Sequence, residues 1–539
     1  MTLTYRSDAV IVGGGLAGIT AALELLDAGA HVLLLDRDEE SNFGGLARES
    51  FGGILVVGSD EQKQAGVKDS PELAFADWLS FGELDASDLW PRRWAETYVH
   101  RCNELVYRWL KARGIRFFPV PHWIERGETR RGNSVPRFHI VWGTGQELAR
   151  VMIARLLAHP RRERLTLRFG HRVERLVTTN GAVTGCAGVV EASGEAFEAS
   201  AAMTLVAAGG INGGDHAKVR QHWHRDWRKP PQVILNGSHR YADGRMHDAA
   251  EAAGARVTHL DRMWDYAAGV RHPRPRKPNH GLSVVPSRTA LWLDGQGERF
   301  MPPLLTGFDT RDLVTRICAT ERQYSWQIMN RRIALKELAI SGAEFNPSIR
   351  DKNLLAFLRD VFLGNKWLVN QVVRDFPDVV VADTLPELVR KMNALNGDDV
   401  VRVDTVSDAI ARYDGELDLE PELRTDPQLR RIAQMRQWKG DRVRTCRQQK
   451  ILDARALPLI AIRLFIISRK SLGGIRTDLS SRALGDNDVP VPGLYAAGEA
   501  AGFGGGGMHG LRALEGAFLG GCILTGRIAG KAMADALAG

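Results

Sequence analysis

Cysteine is scarce: the 539 residues contain only Cys102, Cys186, Cys318, Cys446 and Cys522. They form no CxxC pair, no CxxCH haem attachment and no iron–sulfur run, which excludes built-in haem and iron–sulfur centres. An odd, scattered set suits a reducing compartment, and MTLTYRSDAVIVGGG runs into a strand without a charged n-region or cleavage site. A cytoplasmic protein is expected. Long apolar runs are missing too. The best, Ala456 to Ile467, contains Arg463 and falls well short of the ~20 residues of a spanning helix, so a buried element is expected there and no membrane span. Repeats and low-complexity tracts are absent. His216, His222 and His224 in DHAKVRQHWHRDW have no carboxylates or cysteines arranged for tetrahedral ligation and read as a polar helix surface, so no metal is expected.

What is present describes a large globular protein. Hydrophobic residues make up 44% and charged residues 25%, with 56 glycines, and the length calls for two or more folding units. Net charge is +8, from 72 basic and 64 acidic residues. The densest basic pieces, Arg92-Arg93, Arg130-Arg131, Arg161 to Arg164 and Arg430-Arg431, are short and dispersed, which favours a solvated basic surface over a nucleic-acid footprint.

The strongest motif is N-terminal. An apolar run from Ala9 to Val12 leads into GGGLAG, in which Gly13, Gly15 and Gly18 satisfy GxGxxG, and ITAALELLDAGA continues with helical spacing. The first glycine permits the turn, the second lets backbone approach a pyrophosphate, and the third lets helix pack on strand. HVLLLD then ends at Asp36, placed to accept hydrogen bonds from an adenosine ribose. A dinucleotide site is expected. The following NFGGLARESFGG, with Gly44, Gly45, Gly52 and Gly53 around Ala47 and Ser50, suits phosphate and flavin contact. Near the other end, VPGLYAAGEAAGFGGGGMHGLRALEGAFLGGCILTGRIAG reads as a strand, a glycine run inviting a planar ligand, and a small-residue helix from about Ala513.

These segments, with LVAAGGI and SLGGIRTDL, resemble the FAD-dependent flavoproteins that include fumarate reductase, the succinate dehydrogenase flavoprotein, L-aspartate oxidase and 3-ketosteroid dehydrogenases. KDSPELAFADWL, RWAETYV, RGIRFFPV and GNSVPRFHIVWGTG make the chain most similar to the 3-ketosteroid dehydrogenase-like branch. The resemblance implies FAD. Gly13, Gly15, Leu16, Ala17, Gly18, Asp36 and Arg37 would serve the ADP half, and Gly44, Gly45, Ala47, Ser50, Gly52 and Gly53 the pyrophosphate and flavin. Val173 would offer its backbone to adenine, Glu499 with Gly498 would hold the ribityl chain, and Ala208, Gly209, Gly210, Ala513, Leu514 and Gly516 complete the implied set. Arg48-Glu49-Ser50 stands where membrane-bound relatives attach FAD through histidine, so non-covalent FAD is implied. No second GxGxxG supports an NAD(P)H domain, and electrons must pass to or from an external partner.

The fold class expected is α/β, α+β overall: a Rossmann-like FAD domain of the glutathione-reductase type built from both chain ends (1–280 and 451–539), with an inserted α+β cap at 281–450. The cap contains the helical patterns NLLAFLRDVFL and LPELVRKMNAL and would build the substrate pocket against the flavin domain. HPRPRKPNHG is the first linker candidate and the loop around Lys450 to Pro458 the other. Three clusters offer catalytic groups. Arg311, in TRD, stands where fumarate reductases place a proton-donating arginine, although Met301-Pro302-Pro303 replaces the usual acid. His509 matches a substrate-holding histidine while Arg512 is shifted by one position. Tyr266 and Tyr324, near Trp264 and Trp326, are candidate acid or base groups beside a ketone. The expected function is FAD-dependent dehydrogenation of a CH–CH bond next to a carbonyl, in a hydrophobic, 3-ketosteroid-like ketone. A fumarate-reductase-type enoate reductase and a tRNA-modification-like FAD protein that binds nucleic acid are the alternatives; even charge spacing speaks against the latter.

Overall fold

Ala9–Val12 is apolar and buried at every position, as befits the interior of a parallel sheet covered on both faces. In the computed structural model, which describes residues 2–539, it lies within a six-stranded sheet. The order is Arg482–Leu484, Pro490–Ala496, Met203–Val206, Ala9–Val12, Val32–Leu35, Leu165–Arg168. All neighbours pair in parallel except the Arg482–Leu484 edge. The turn after Val12 feeds the helix Leu16–Asp27, which packs on the C-terminal helix Ala517–Ala538. The small residues of that last helix make the contact possible: a Cβ on Gly526 would lie 2.3 Å from the Ala17 carbonyl oxygen, and one on Gly530 2.6 Å from that of Ala21. Arg527 Nε closes the pair with a 2.5 Å bond to Glu24 Oε1. A four-stranded sheet (Leu3–Arg6, Ala196–Ser200, Ala182–Val190, His171–Thr179) accompanies this core.

The chain divides into two compact units. The first comprises the chain up to His224, Ser238–Trp264 and Arg469–Gly539; the second comprises Arg225–Gly237 and Asp265–Ser468. Besides a short excursion at 225–237, the crossings fall at 264/265 and 468/469, where the sequence suggests 280/281 and 450/451. The reason is the second unit's eight-stranded sheet. Its path runs Leu291–Asp294, Tyr324–Asn330, Leu459–Ser471, Met263–Arg271, Gly281–Val285, Ala339–Ile340. HPRPRKPNHG is therefore the hairpin connection between Met263–Arg271 and Gly281–Val285, which pair antiparallel, and not an interdomain linker. The apolar stretch from Ala456 is the long strand Leu459–Ser471, nearly all buried, with Arg463 turned to Asp378 Oδ1 at 3.2 Å and the Leu395 carbonyl at 2.9 Å. NLLAFLRDVFL and LPELVRKMNAL form the helices Leu354–Leu363 and Leu385–Asn396. Mixed α/β architecture is the outcome, and no helix is long and apolar enough to cross a membrane among the described residues.

Candidate active site

The first unit's glycines differ in what surrounds them. A Cβ on Gly13, whose φ is +112°, would stand 2.3 Å from the Ala207 carbonyl oxygen, and one on Gly18 2.0 Å from that of Gly13. Both are required by the protein's packing on itself. Gly15 is otherwise: its φ of −75° is open to any residue, and nothing lies within 4 Å of its Cβ position. It caps the twelve-residue helix Leu16–Asp27, which has no side-chain cap and no acid in its first turn, so N–H groups of Leu16 and Ala17 and the positive dipole end have no anion of the protein's own. A second loop is drawn alongside when Gly44 N donates to the Gly14 carbonyl at 3.1 Å. A Cβ on Gly45, at φ +58°, would find only Gly15 backbone, at 3.4 Å. On a third loop, Ala208-Gly209-Gly210, a Cβ on Gly209 would meet only Ala242, at 3.9 Å. Three open backbone surfaces and an uncapped helix make a cradle that suits a pyrophosphate.

Asp36 accepts from Gly14 N through Oδ2 and from Asp38 N through Oδ1, both at 2.7 Å. Each oxygen keeps a lone pair for a ribose hydroxyl, and burial raises its carboxyl above the ordinary carboxylate range. Asp38 is instead used by the protein, through His239 at 3.1 Å, Asn42 at 3.1 Å and Arg240. Arg37 is held by Glu191 at 2.6 Å and Asp243 at 2.8 Å and lies 4.2 Å from the Tyr241 ring centre. Val173 pairs with Gly188 just before a register shift in its sheet. Glu499 Oε1 accepts from Ser471 N at 2.9 Å. Burial raises its carboxyl too, Ser471 and Lys470 opposing.

Other implied cofactor glycines pack protein against protein. Cβ atoms on Gly52, Gly53, Gly210, Gly498 and Gly516 would come within 2.9 Å of Gly145, Phe138, Glu499, Ala17 and Leu55 respectively. Ser50 Oγ donates to the Ala47 carbonyl at 2.8 Å, and Gly145 sits against both. The run from Gly504 to Gly506 suggests room for a planar ligand, yet a Cβ on these residues would meet Trp94 at 2.6 Å, Trp90 at 2.6 Å and Thr258 at 2.3 Å. Their φ values of +135°, +67° and +74° explain the glycines. The last helix begins at Ala517, not Ala513; Ala513 and Leu514 belong to the preceding turn, closed by Ala517 N donating to Leu514 O at 3.2 Å.

His509 is fully buried in an aromatic cage. Its ring stacks on Trp78 at 5.3 Å and 11°, with Phe503 and Phe518 edge-on at 5.1 Å each. Trp78 is set by the helix Pro71–Gly82, started by Ser70 Oγ accepting from Leu73 N with Pro71 in the first turn. Asp69 and Asp77, at the start and on the buried face of that segment, converge on Arg137 at 2.8 and 2.7 Å. The family-like KDSPEL and VPRFHI stretches thus meet in a buried ion-pair network. Burial, aided by the charge of Lys470, pushes the His509 imidazole down to about 3. It is neutral, and among the described residues neither ring nitrogen has a hydrogen-bond partner. Lys470 Nζ stands 4.5 Å from the centre of the Phe518 ring. Among the described residues it has no hydrogen bond or ion pair, and burial with the neighbouring Arg469 brings its ammonium down to about 8, against the pull of Glu515 and Glu499. Glu515 Oε2 accepts from Trp264 Nε1 at 2.9 Å. Lys470 has only a faint signal in the sequence, a polar Arg469-Lys470 pair near the end of a largely apolar strand.

Arg512 is near this cage in sequence but is ion-paired to Glu83 Oε1, whose other oxygen takes Arg130 at 2.9 Å. The remaining candidates lie in the second unit. Arg311 is buried in the first turn of the helix Thr310–Ala319, capped by Asp309, with its guanidinium 4.9 Å from the Trp227 ring centre. Tyr266 and Tyr324 are half-buried on one apolar cluster of Leu235, Phe465 and Ile467. The Tyr324 hydroxyl meets Gly295 O and Arg322 Nη1 at 3.4 Å each, and burial raises its pKa. Among the described residues no group of three or more His, Cys, Asp or Glu could hold a metal ion.

Comparison with known proteins adds three findings. The sequence profile described as "FAD binding domain" matches residues 8–519. A KsdD-like steroid dehydrogenase of Mycobacterium tuberculosis (strain ATCC 25618 / H37Rv) is 43% identical over 98% of this chain and 96% of its own. Among solved structures, a flavocytochrome c3 fumarate reductase in its open conformation matches 99% of this chain and 79% of its own at TM-score 0.68 and 20% identity. The 3-ketosteroid delta1-dehydrogenase from Sterolibacterium denitrificans, in complex with 1,4-androstadiene-3,17-dione, matches 98% of this chain and 100% of its own at TM-score 0.68 and 16% identity. At those identities the two structures show the fold, and they share it.

Proposed function

As a member of the FAD-binding-domain family, the chain is an FAD-dependent oxidoreductase acting on CH–CH groups, and we propose that its donor is the bond beside the ketone of a flat, 3-ketosteroid-like molecule. The observation that carries the substrate reading is the end-to-end likeness to the mycobacterial steroid dehydrogenase. The open faces of Gly15, Gly45 and Gly209 fit the cofactor's pyrophosphate and Asp36 its ribose. FAD, bound non-covalently, would supply the acceptor for a β-hydrogen leaving as hydride.

The protein's own task is the α-proton. We assign its removal to Lys470, whose depressed pKa makes the neutral amine accessible near neutral pH. His509, neutral and without a partner on either nitrogen, is assigned to donate an N–H to the ketone oxygen as enolate charge gathers there. The α-carbon's C–H electron pair becomes the new C=C bond, the proton goes to Nζ, and the two electrons leave with the hydride. Arg311 and Arg512 are the residues a carboxylate substrate would call on, and the fumarate-type reading rests on them.

Anaerobic flavin spectroscopy tests the choice. Addition of a saturated 3-ketosteroid to the oxidised enzyme is expected to bleach the flavin. Reoxidation of chemically reduced enzyme by fumarate, with no response to the steroid, would replace this reading by the enoate-reductase one.

A further inference from the structure

The helix Leu354–Leu363, LLAFLRDVFL, is well closed. Asn353 Oδ1 accepts from Ala356 N at 3.0 Å, and Gly364 ends it at φ +88°. Yet none of its residues is buried. Leu355 is 81% exposed, Leu363 72%, Phe362 69% and Leu354 56%, with Leu358 and Trp367 exposed beside them. Spacings of three, four, seven and eight residues place these side chains on one broad stripe. A contiguous exposed patch of leucine and aromatic residues marks an interaction face.

The border of the stripe is cationic. Arg359 pairs with Asp360 at 3.0 Å, and Arg350 with Asp351 at 2.7 Å, so the nearby carboxylates are already matched by arginines. Lys366, exposed as well, stands at one end and leaves the border net positive. Apolar leucines and phenylalanine on one face, a lysine at the rim and a tryptophan at one end suit a helix lying in a membrane interface. The lysine stem extends the apolar surface while its ammonium group reaches the headgroups. A second copy of the chain would bring a duplicate set of cations to the same border.

We propose that the Leu354–Leu363 face, with Trp367, docks on the surface of an anionic phospholipid bilayer. The test uses the full-length, FAD-loaded protein, co-sedimented with vesicles of phosphatidylcholine alone or mixed with phosphatidylglycerol. Binding is expected to be strong only to the mixed vesicles. Lys366→Gln is expected to weaken it about fivefold, the contribution of one cation near an anionic surface. Leu355→Ser combined with Phe362→Ser is expected to reduce it about tenfold or more, with FAD content and the flavin spectrum unchanged as the sign of an intact fold. Equal binding by wild type and the double variant would overturn the proposal. So would a wild type that ignores both vesicles, whether it sediments as a dimer that the double variant dissolves or remains a monomer.

Discussion

Replacing Gly15 and Gly18 by alanine in turn separates a glycine kept for a ligand from one kept for the fold. At Gly15 the backbone is compatible with alanine and the new methyl meets no protein atom within 4 Å. Apo-protein should therefore gain about 0.4–1 kcal/mol, the usual effect of Gly→Ala where φ allows it. The same methyl stands in front of the first turn of Leu16–Asp27. If it costs the cofactor two charge-assisted hydrogen bonds of about 1.5–3 kcal/mol each, FAD affinity falls by ~10²–10⁴. At Gly18 the methyl would be 2.0 Å from the Gly13 carbonyl oxygen, an overlap expected to cost about 3 kcal/mol or more before any cofactor is added. Urea unfolding of apo-protein, followed by tryptophan fluorescence, reads the first quantity; quenching of flavin fluorescence on titration reads the second. Wild-type FAD affinity in Gly15→Ala, or an apo-protein as unstable as Gly18→Ala, would refute the assignment.

Four further expectations can be checked quickly. Because Lys470 must be neutral to accept a proton, kcat/KM should rise with pH and level off above about 8, and Lys470→Met should abolish that limb along with most activity; a surviving limb in the variant would exonerate the lysine. The same residue has a folded pKa below its free value, so the unfolded chain binds more protons between them. Lys470→Met should therefore be more stable than wild type below pH 8 and lose that advantage as pH approaches the ordinary lysine pKa, and an advantage independent of pH would contradict the burial cost. Tyr324→Phe removes a hydroxyl held only by two 3.4 Å contacts and should change kcat no more than a few-fold; a loss of about a hundredfold or more would restore it as the acid or base. Acid precipitation should release all flavin into the supernatant, and a yellow pellet would show a covalent bond.

Much of this architecture was legible because its signals are local. AVIV followed by GGGLAG dictates strand, turn and helix whatever the remainder does, and Asp36 follows from the second strand. The limits came from distance along the chain. Gly504 to Gly506 look like ligand glycines until Trp90, Trp94 and Thr258 are found against them; no local pattern announces partners hundreds of residues away. The same holds for Arg512, taken by Glu83; the neighbours of Lys470, Phe518, Glu515 and Glu499, are nearer in sequence but lie on other segments. HPRPRKPNHG has a linker's composition, but pairing between its flanking strands makes it a hairpin, which only sheet register reveals.

The two proposals, a ketone of steroid type and a bilayer-docking helix, constrain each other through the substrate's solubility. A flat apolar ketone partitions into lipid, so an enzyme held at the bilayer draws on the concentration in the membrane rather than in water. Anionic vesicles should then change the apparent KM of the wild type at fixed total substrate, because enzyme and substrate are gathered in one phase. For the Leu355→Ser, Phe362→Ser variant the same vesicles should act only as a sink, raising the apparent KM by sequestering substrate. Fumarate, which stays in water, should show no such divergence between the two proteins. A divergence with steroid alone supports both readings together; vesicle binding without divergence leaves the docking face standing and removes its link to substrate supply.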